Sequence, residues 1–231
     1  RTGPSLCDRR GILNQCISNQ THLIGNQKVN ISSVFQVKPT ATFRALSGPS
    51  EINITKHLIS VYGYGTEPLP WVAVEPADYP TLIETAADYS LSQRIGFLIE
   101  ACEAVHHVSR YGFNYDVLVP ESLLIAPENM LKLRGVLDYI NPTENSAYEP
   151  PGEIQGQTTE SALVYRLGAI GYELLSGHLP DDAGSSVVPS ERNPELSEGI
   201  DRILLKSIAT DPDERYETVL HLRDELEQSL R

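Results

Sequence analysis

At residue 81 the spacing of the apolar side chains changes character, and that change limits what the chain can fold into more than any other feature. Over residues 1 to 56 Asn, Gln, Ser and β-branched residues are mixed without a sustained 3.6-residue apolar period, which predicts short strands and loops. Val34-Phe35-Gln36-Val37 reads as a strand ending at Lys38-Pro39, because proline has no N–H to continue a ladder. Leu58-Ile59-Ser60-Val61-Tyr62 and Trp71-Val72-Ala73-Val74-Glu75 read as two more, joined by the turn-rich Gly63 to Pro70 stretch.

Beyond residue 81 the pattern is helical. Ser90 and Gln93 have the spacing of a capping box, and Ile95, Leu98, Ile99, Cys102 and Val105 then share one face of a helix that should be largely buried. Leu123-Leu124-Ile125-Ala126 and Leu131-Lys132-Leu133-Arg134 flank Pro127-Glu128-Asn129-Met130 as a small hairpin. A polar loop at about 138 to 160 precedes a helix marked by Leu163, Leu167, Ile170 and Leu174 and stopped near Ser176-Gly177. After a Pro/Ser-rich loop at 180 to 195, Ile200, Ile203, Leu204 and Ile208 mark one more helix, and Val219, Leu222, Leu226 and Leu230 the last. No internal repeat, heptad run or low-complexity block interrupts this order. An α+β chain of 231 residues is long enough for one domain or two small lobes.

Charge and cysteines narrow the function classes. Eighteen Lys and Arg against 31 Asp and Glu give a net charge of −13, which argues against nucleic acid and anionic membrane as partners. Only 5 of the basic residues are lysines, and an acidic, lysine-poor surface is that of a protein kept soluble in salt. Cys7, Cys16 and Cys102 are odd in number and widely spaced, so they suggest neither a disulfide framework nor a metal site, and a reducing cytoplasm is the expected setting. No apolar run approaches the roughly 20 residues of a membrane span, and Arg1-Thr2-Gly3-Pro4 does not open a signal peptide. The start without Met reads as a fragment or trimmed terminus, and the triplets at Asn19, Asn30 and Asn53 as chance matches to a glycosylation pattern.

Local words then point to one family. His57 to Gly65 followed by Pro70-Trp71-Val72-Ala73-Val74-Glu75 resembles the stretch that leads through two strands to the gatekeeper and hinge of a protein kinase. Pro120-Glu121-Ser122-Leu123-Leu124-Ile125 resembles the end of a kinase catalytic loop, Val164 to Pro180 the central large-lobe helix, and Asp211-Pro212-Asp213-Glu214-Arg215-Tyr216 the loop before the last helix. The resemblance covers about residues 57 to 231 and is nearest to bacterial and halophilic-archaeal serine/threonine kinases. It implies a protein-kinase-like two-lobed fold, with a reduced β-rich small lobe at 1–74, a hinge at 75–80 and a mainly helical large lobe at 81–231.

Phosphoryl transfer needs a positioning carboxylate, Asn and Asp side chains on magnesium and a Lys on the phosphates. With Pro120-Glu121 as anchor, the family's His-Arg-Asp falls on Tyr115-Asp116-Val117, so Val117 stands where the catalytic aspartate belongs. The resemblance further places Val119 at the following lysine, Ser122 at the metal-binding asparagine, Gly135-Val136-Leu137 at Asp-Phe-Gly and Leu163 at the aspartate that braces the loop. Asp116 and Asp138 are the nearest carboxylates, and Asp116 is the catalytic residue if the site is active. Gly25 is a lone glycine where a Gly-rich loop belongs; Lys38 stands at the phosphate lysine, with Glu75 and Ala77 at the hinge positions that would hold a nucleotide. Glu51 is the sole acid between Lys38 and His57, so the regulatory helix is shortened or absent.

The reading that follows is a kinase-like domain that has lost catalysis, a pseudokinase with a regulatory or protein-binding role and a protein partner. ATP with magnesium is the cofactor pair the resemblance would bring, and no metal site is expected. The alternative is a divergent active ATP-dependent kinase using Lys38 and Asp116; a third reading makes the first 56 residues a separate sensory or interaction piece. Cys102, Glu103, His106 and His107 point in different directions around one helix and do not make a ligand set. Thr158, Thr159 and Ser161 are candidate phosphorylation positions. Arg215 resembles the buried large-lobe arginine, with Glu153 as its partner.

Overall fold

The computed structural model describes residues 20–24, 27–31, 33–36, 56–65, 71–75, 77–110, 118–135, 146–151, 159–180 and 187–231. The chain divides into two compact units, Arg1–Asp78 and Tyr79–Arg231. In the first, β1 (Gln20–Ile24) and β2 (Gln27–Ile31) form an antiparallel hairpin with Ile24 opposite Gln27. The intervening dipeptide Gly25-Asn26 is of the kind favoured at two-residue hairpin connections. β3 (Ser33–Gln36), β4 (Val61–Gly65) and β5 (Trp71–Val74) make an antiparallel sheet in the order β3-β5-β4. Val34 lies opposite Ala73, and Tyr64 opposite Val72, with a register shift between Val61 and Gly63.

The strand β4 begins at Val61 and not at Leu58, and a side chain explains the difference. Where the next rung beyond Val61 and Val74 would fall, the Glu75 N–H still donates to the Ser60 carbonyl at 2.9 Å. The Ser60 N–H, however, donates to Glu75 Oε2, also at 2.9 Å, so a carboxylate replaces the backbone acceptor and the regular ladder stops.

The second unit is built on helices. α1 (Leu91–Ser109) starts with the predicted capping box: Ser90 Oγ accepts from the Gln93 N–H and Gln93 Oε1 from the Ser90 N–H. Ile95, Leu98, Cys102 and Val105 are buried as expected, and the buried face is wider than predicted. Phe97 is also buried, with the Tyr89 ring edge-on at 4.9 Å, whereas Ile99 is half-buried. β6 (Leu123–Ala126) and β7 (Met130–Leu133) form the predicted hairpin, with Leu123 opposite Leu133. Its tip holds Glu128 and Asn129 at φ of 65° and 56°, a left-handed pair without glycine, and Tyr89 Oη donates to Asn129 Oδ1 at 3.0 Å. The segment just before residue 83 adds a third strand-like edge to this hairpin: the Leu82 N–H donates to the Leu123 carbonyl, and the Ile125 N–H to that of Pro80.

α2 (Thr159–Ser176) is buried along most of its length and ends at Gly177, whose φ of 77° is the left-handed conformation a helix-terminating glycine supplies. The one-turn α3 (Pro189–Arg192) lies inside the predicted loop, held by Asp201, which accepts from both the Ser190 N–H and its hydroxyl. α4 (Glu198–Ser207) and α5 (Val219–Ser229) complete the unit, each started by a hydroxyl cap, Ser197 and Thr218. α1 packs against α2 and α5, and α2 against α4. Large apolar side chains of these helices are fully buried, among them Leu98, Leu163, Leu167 and Ile170, and each contributes about 1.5 to 3 kcal/mol through burial.

Glycines on these helices differ sharply in their surroundings. A Cβ at Gly96 would meet nothing within 4 Å. Gly96→Ala should therefore raise stability by about 0.5 to 1 kcal/mol through helix propensity alone, read as a higher midpoint in chemical denaturation. A lower midpoint would mean that this face of α1 is covered. Among the described residues, no helix is long and apolar enough to cross a membrane.

Candidate functional site

The loop leading into β6 is where the resemblance puts the chemistry, and its described part faces inward. Leu118 and Val119 are buried, Val119 at 1% exposure, and Pro120 opens a short 3₁₀ turn over Pro120–Ser122. Ser122, at the metal-binding asparagine position, is 0% exposed. Its Oγ accepts from the Val119 N–H at 3.3 Å, its N–H donates to the Val119 carbonyl at 2.9 Å, and its carbonyl accepts from the Arg134 N–H. Ser122 thus closes the turn on itself and ties it to the strand end after β7. A hydroxyl in that position offers a cation no exposed oxygen.

The second magnesium position is no better supplied. Gly135 is buried, has no side chain, and sits at φ of 60° directly after the hairpin. Leu163, at the position of the bracing aspartate, is 1% exposed within the core of α2. Gly135 therefore offers magnesium no side-chain oxygen, and the one hydroxyl at these positions, Ser122, is shut off from solvent. Val117, Asp116, Val136, Leu137, Asp138, Lys38, Gly25 and Glu51 lie outside the described residues.

In the first unit, Glu75 and Ala77 follow β5. Glu75 is buried, and its carboxylate is engaged by Ser60 as described above. Ala77 is half-buried. Phe35 and Gln36 pair with Val72 and Trp71 of β5, and Ser33 with Val74, the residue before Glu75.

Arg215 is buried, and the acceptors around its guanidinium are oxygens of two segments. Nε donates to the Ala209 carbonyl at 2.7 Å, Nη2 to that of Thr210 at 3.1 Å, and Nη1 to both the carbonyl and hydroxyl of Ser161 at 3.2 and 3.3 Å. The Tyr165 ring lies 4.9 Å from its centre. Burial lowers the Arg215 pKa, opposed by Tyr165 and Asp211. Glu153, the partner that the resemblance implied, lies outside the described residues. Ser161 is buried and committed to Arg215, so of the candidate phosphorylation positions described, Thr159 is the exposed one; Thr158 is outside the described residues.

One grouping had no local signal in the sequence. Tyr148, in the turn Ser146–Tyr148, is buried, and its hydroxyl donates to Glu173 Oε2 of α2. Burial, then the hydrogen bond to Glu173, pushes the tyrosine pKa well up, and the charge of Glu121 in the loop adds to it. Cys102 is fully buried and burial pushes its thiol up, which is the behaviour of a core residue. No three His, Cys, Asp or Glu side chains are grouped to hold a metal among the described residues.

Burial also raises Tyr165, and it pushes Tyr216 up to about 12. A tyrosine whose pKa is higher folded than unfolded keeps its proton more tightly in the native state, so its stabilisation is complete below pH 10 and is lost as pH rises through the folded value. The unfolding midpoint should fall between pH 10 and about 12, less steeply in Tyr216→Phe. A flat profile over that window would contradict the burial of these hydroxyls.

No protein-family model matches the chain. Several bacterial kinases are similar to it in sequence. Serine/threonine-protein kinase PknB of Mycolicibacterium smegmatis is 26% identical over 203 residues, which is 73% of this chain and 32% of that protein. PrkC of Bacillus subtilis is 26% identical over 190 residues, 70% of this chain and 29% of that protein. Pkn1 of Myxococcus xanthus is 23% identical over 212 residues, 78% of this chain and 31% of that protein. The chain thus spans about a third of the length of these curated relatives. Among solved structures, the kinase domain of PknI from Mycobacterium tuberculosis, crystallised as a point mutant, superimposes with a TM-score of 0.63 over 86% of this chain and 84% of that one, at 17% identity. A small antiparallel sheet, a hairpin after a buried turn and a helical second unit, in this order and with these likenesses, make the chain a protein-kinase-like domain with a reduced β-rich small lobe.

Proposed function

We propose that this domain does not transfer phosphate and acts instead as a regulatory or protein-binding module, a pseudokinase. The observation that carries the reading is Ser122: the residue at a magnesium position carries a short hydroxyl in place of an amide, is buried at 0% exposure, and accepts from the Val119 N–H. Val119, Gly135 and Leu163 support it, since each is neutral where phosphoryl transfer calls for charge. The partner is a protein, and the net charge of −13 favours one with a basic surface through electrostatic steering. A cytoplasmic setting belongs to the same proposal, supported by the odd, widely spaced cysteines.

The test is phosphotransfer from radiolabelled ATP with magnesium, to the domain itself and to general protein substrates. The expected result is background incorporation. Robust autophosphorylation abolished by Asp116→Ala would overturn the proposal in favour of a divergent active kinase. A parallel thermal-shift titration reports nucleotide binding separately, because a micromolar site at millimolar ATP adds about 4 kcal/mol. A magnesium-dependent shift lost in Lys38→Met would likewise count against the proposal.

A further inference from the structure

We draw no further inference here: the strongest candidate, the carboxylate pair of Glu121 and Glu173 beside the buried Tyr148 hydroxyl at the junction of the loop before β6 with α2, is an acidic cluster for which no second observation points to a ligand.

Discussion

Gly168→Ala should destabilise the protein by about 3 kcal/mol, a fall of roughly 9 °C in the thermal midpoint for a chain of this size. The added Cβ would lie 2.4 Å from Ser207 Cβ, 3.1 Å from Ile208 Cγ2 and 3.3 Å from the Ser207 carbonyl carbon. None of these is the loose end of a long side chain. Ser207 is fully buried and its hydroxyl donates to the Ile203 carbonyl at 2.8 Å, so α4 can relieve the overlap only by moving away from α2 as a body. The better helix propensity of alanine, about 1 kcal/mol, is already included in that net figure. Gly171→Ala is the comparison: its Cβ would meet Leu98 Cδ2 at 2.6 Å and Leu204 Cδ2 at 3.2 Å, ends of flexible side chains that can turn. That variant should lose about 1 kcal/mol. Equal losses in the two variants would mean that α2 and α4 are further apart than described.

Arg215→Ala should lose a comparable amount, about 3 kcal/mol, from the hydrogen bonds of a charged donor to the Ala209, Thr210 and Ser161 oxygens. Oxygens from two segments converge on one planar fork. A lysine has donors enough but no fork, and its single ammonium cannot sit at Ala209 and Ser161 together. Arg215→Lys should therefore recover less than half of the loss. Urea denaturation with an unchanged slope and a shifted midpoint would read both variants. A loss below about 1 kcal/mol in Arg215→Ala would show that water replaces the guanidinium at little cost, and that the loop at 209–215 does not depend on it.

The helices were legible because they carry their signal locally. Ser90 with Gln93, the leucine spacing of α2 and Gly177 after it are each visible within one or two turns of chain. α3 was not legible, since four residues are too few for a period, and its hold on Asp201 spans 11 positions. The β1–β2 hairpin was hidden among polar residues, with Gly25-Asn26 as its one cue. In the candidate site, Leu163 belonged to a visible apolar period, but the burial of Val119 and the turning of Ser122 onto it did not show. Nor did the acceptors of Arg215: two are carbonyls close to it in sequence, and the others belong to Ser161, 54 residues away. Backbone carbonyls carry no residue identity, so a pattern of side chains cannot announce them.

The strand-like stretch before residue 83 decides where this protein can be cut. Leu82 is 0% exposed, and the two hydrogen bonds made through Leu82 and Pro80 cover the outer edge of β6. A helical fragment prepared from Leu91 onward would look complete by its periodicity, yet it would leave the Leu123 carbonyl and the Ile125 N–H bare beside a vacated apolar groove. Such a fragment would present a sticky edge and should self-associate, whereas one beginning at Tyr79 takes its own edge cover with it. Any mapping of a binding partner by truncation should keep that stretch, or lost binding will report a damaged hairpin instead of a lost contact.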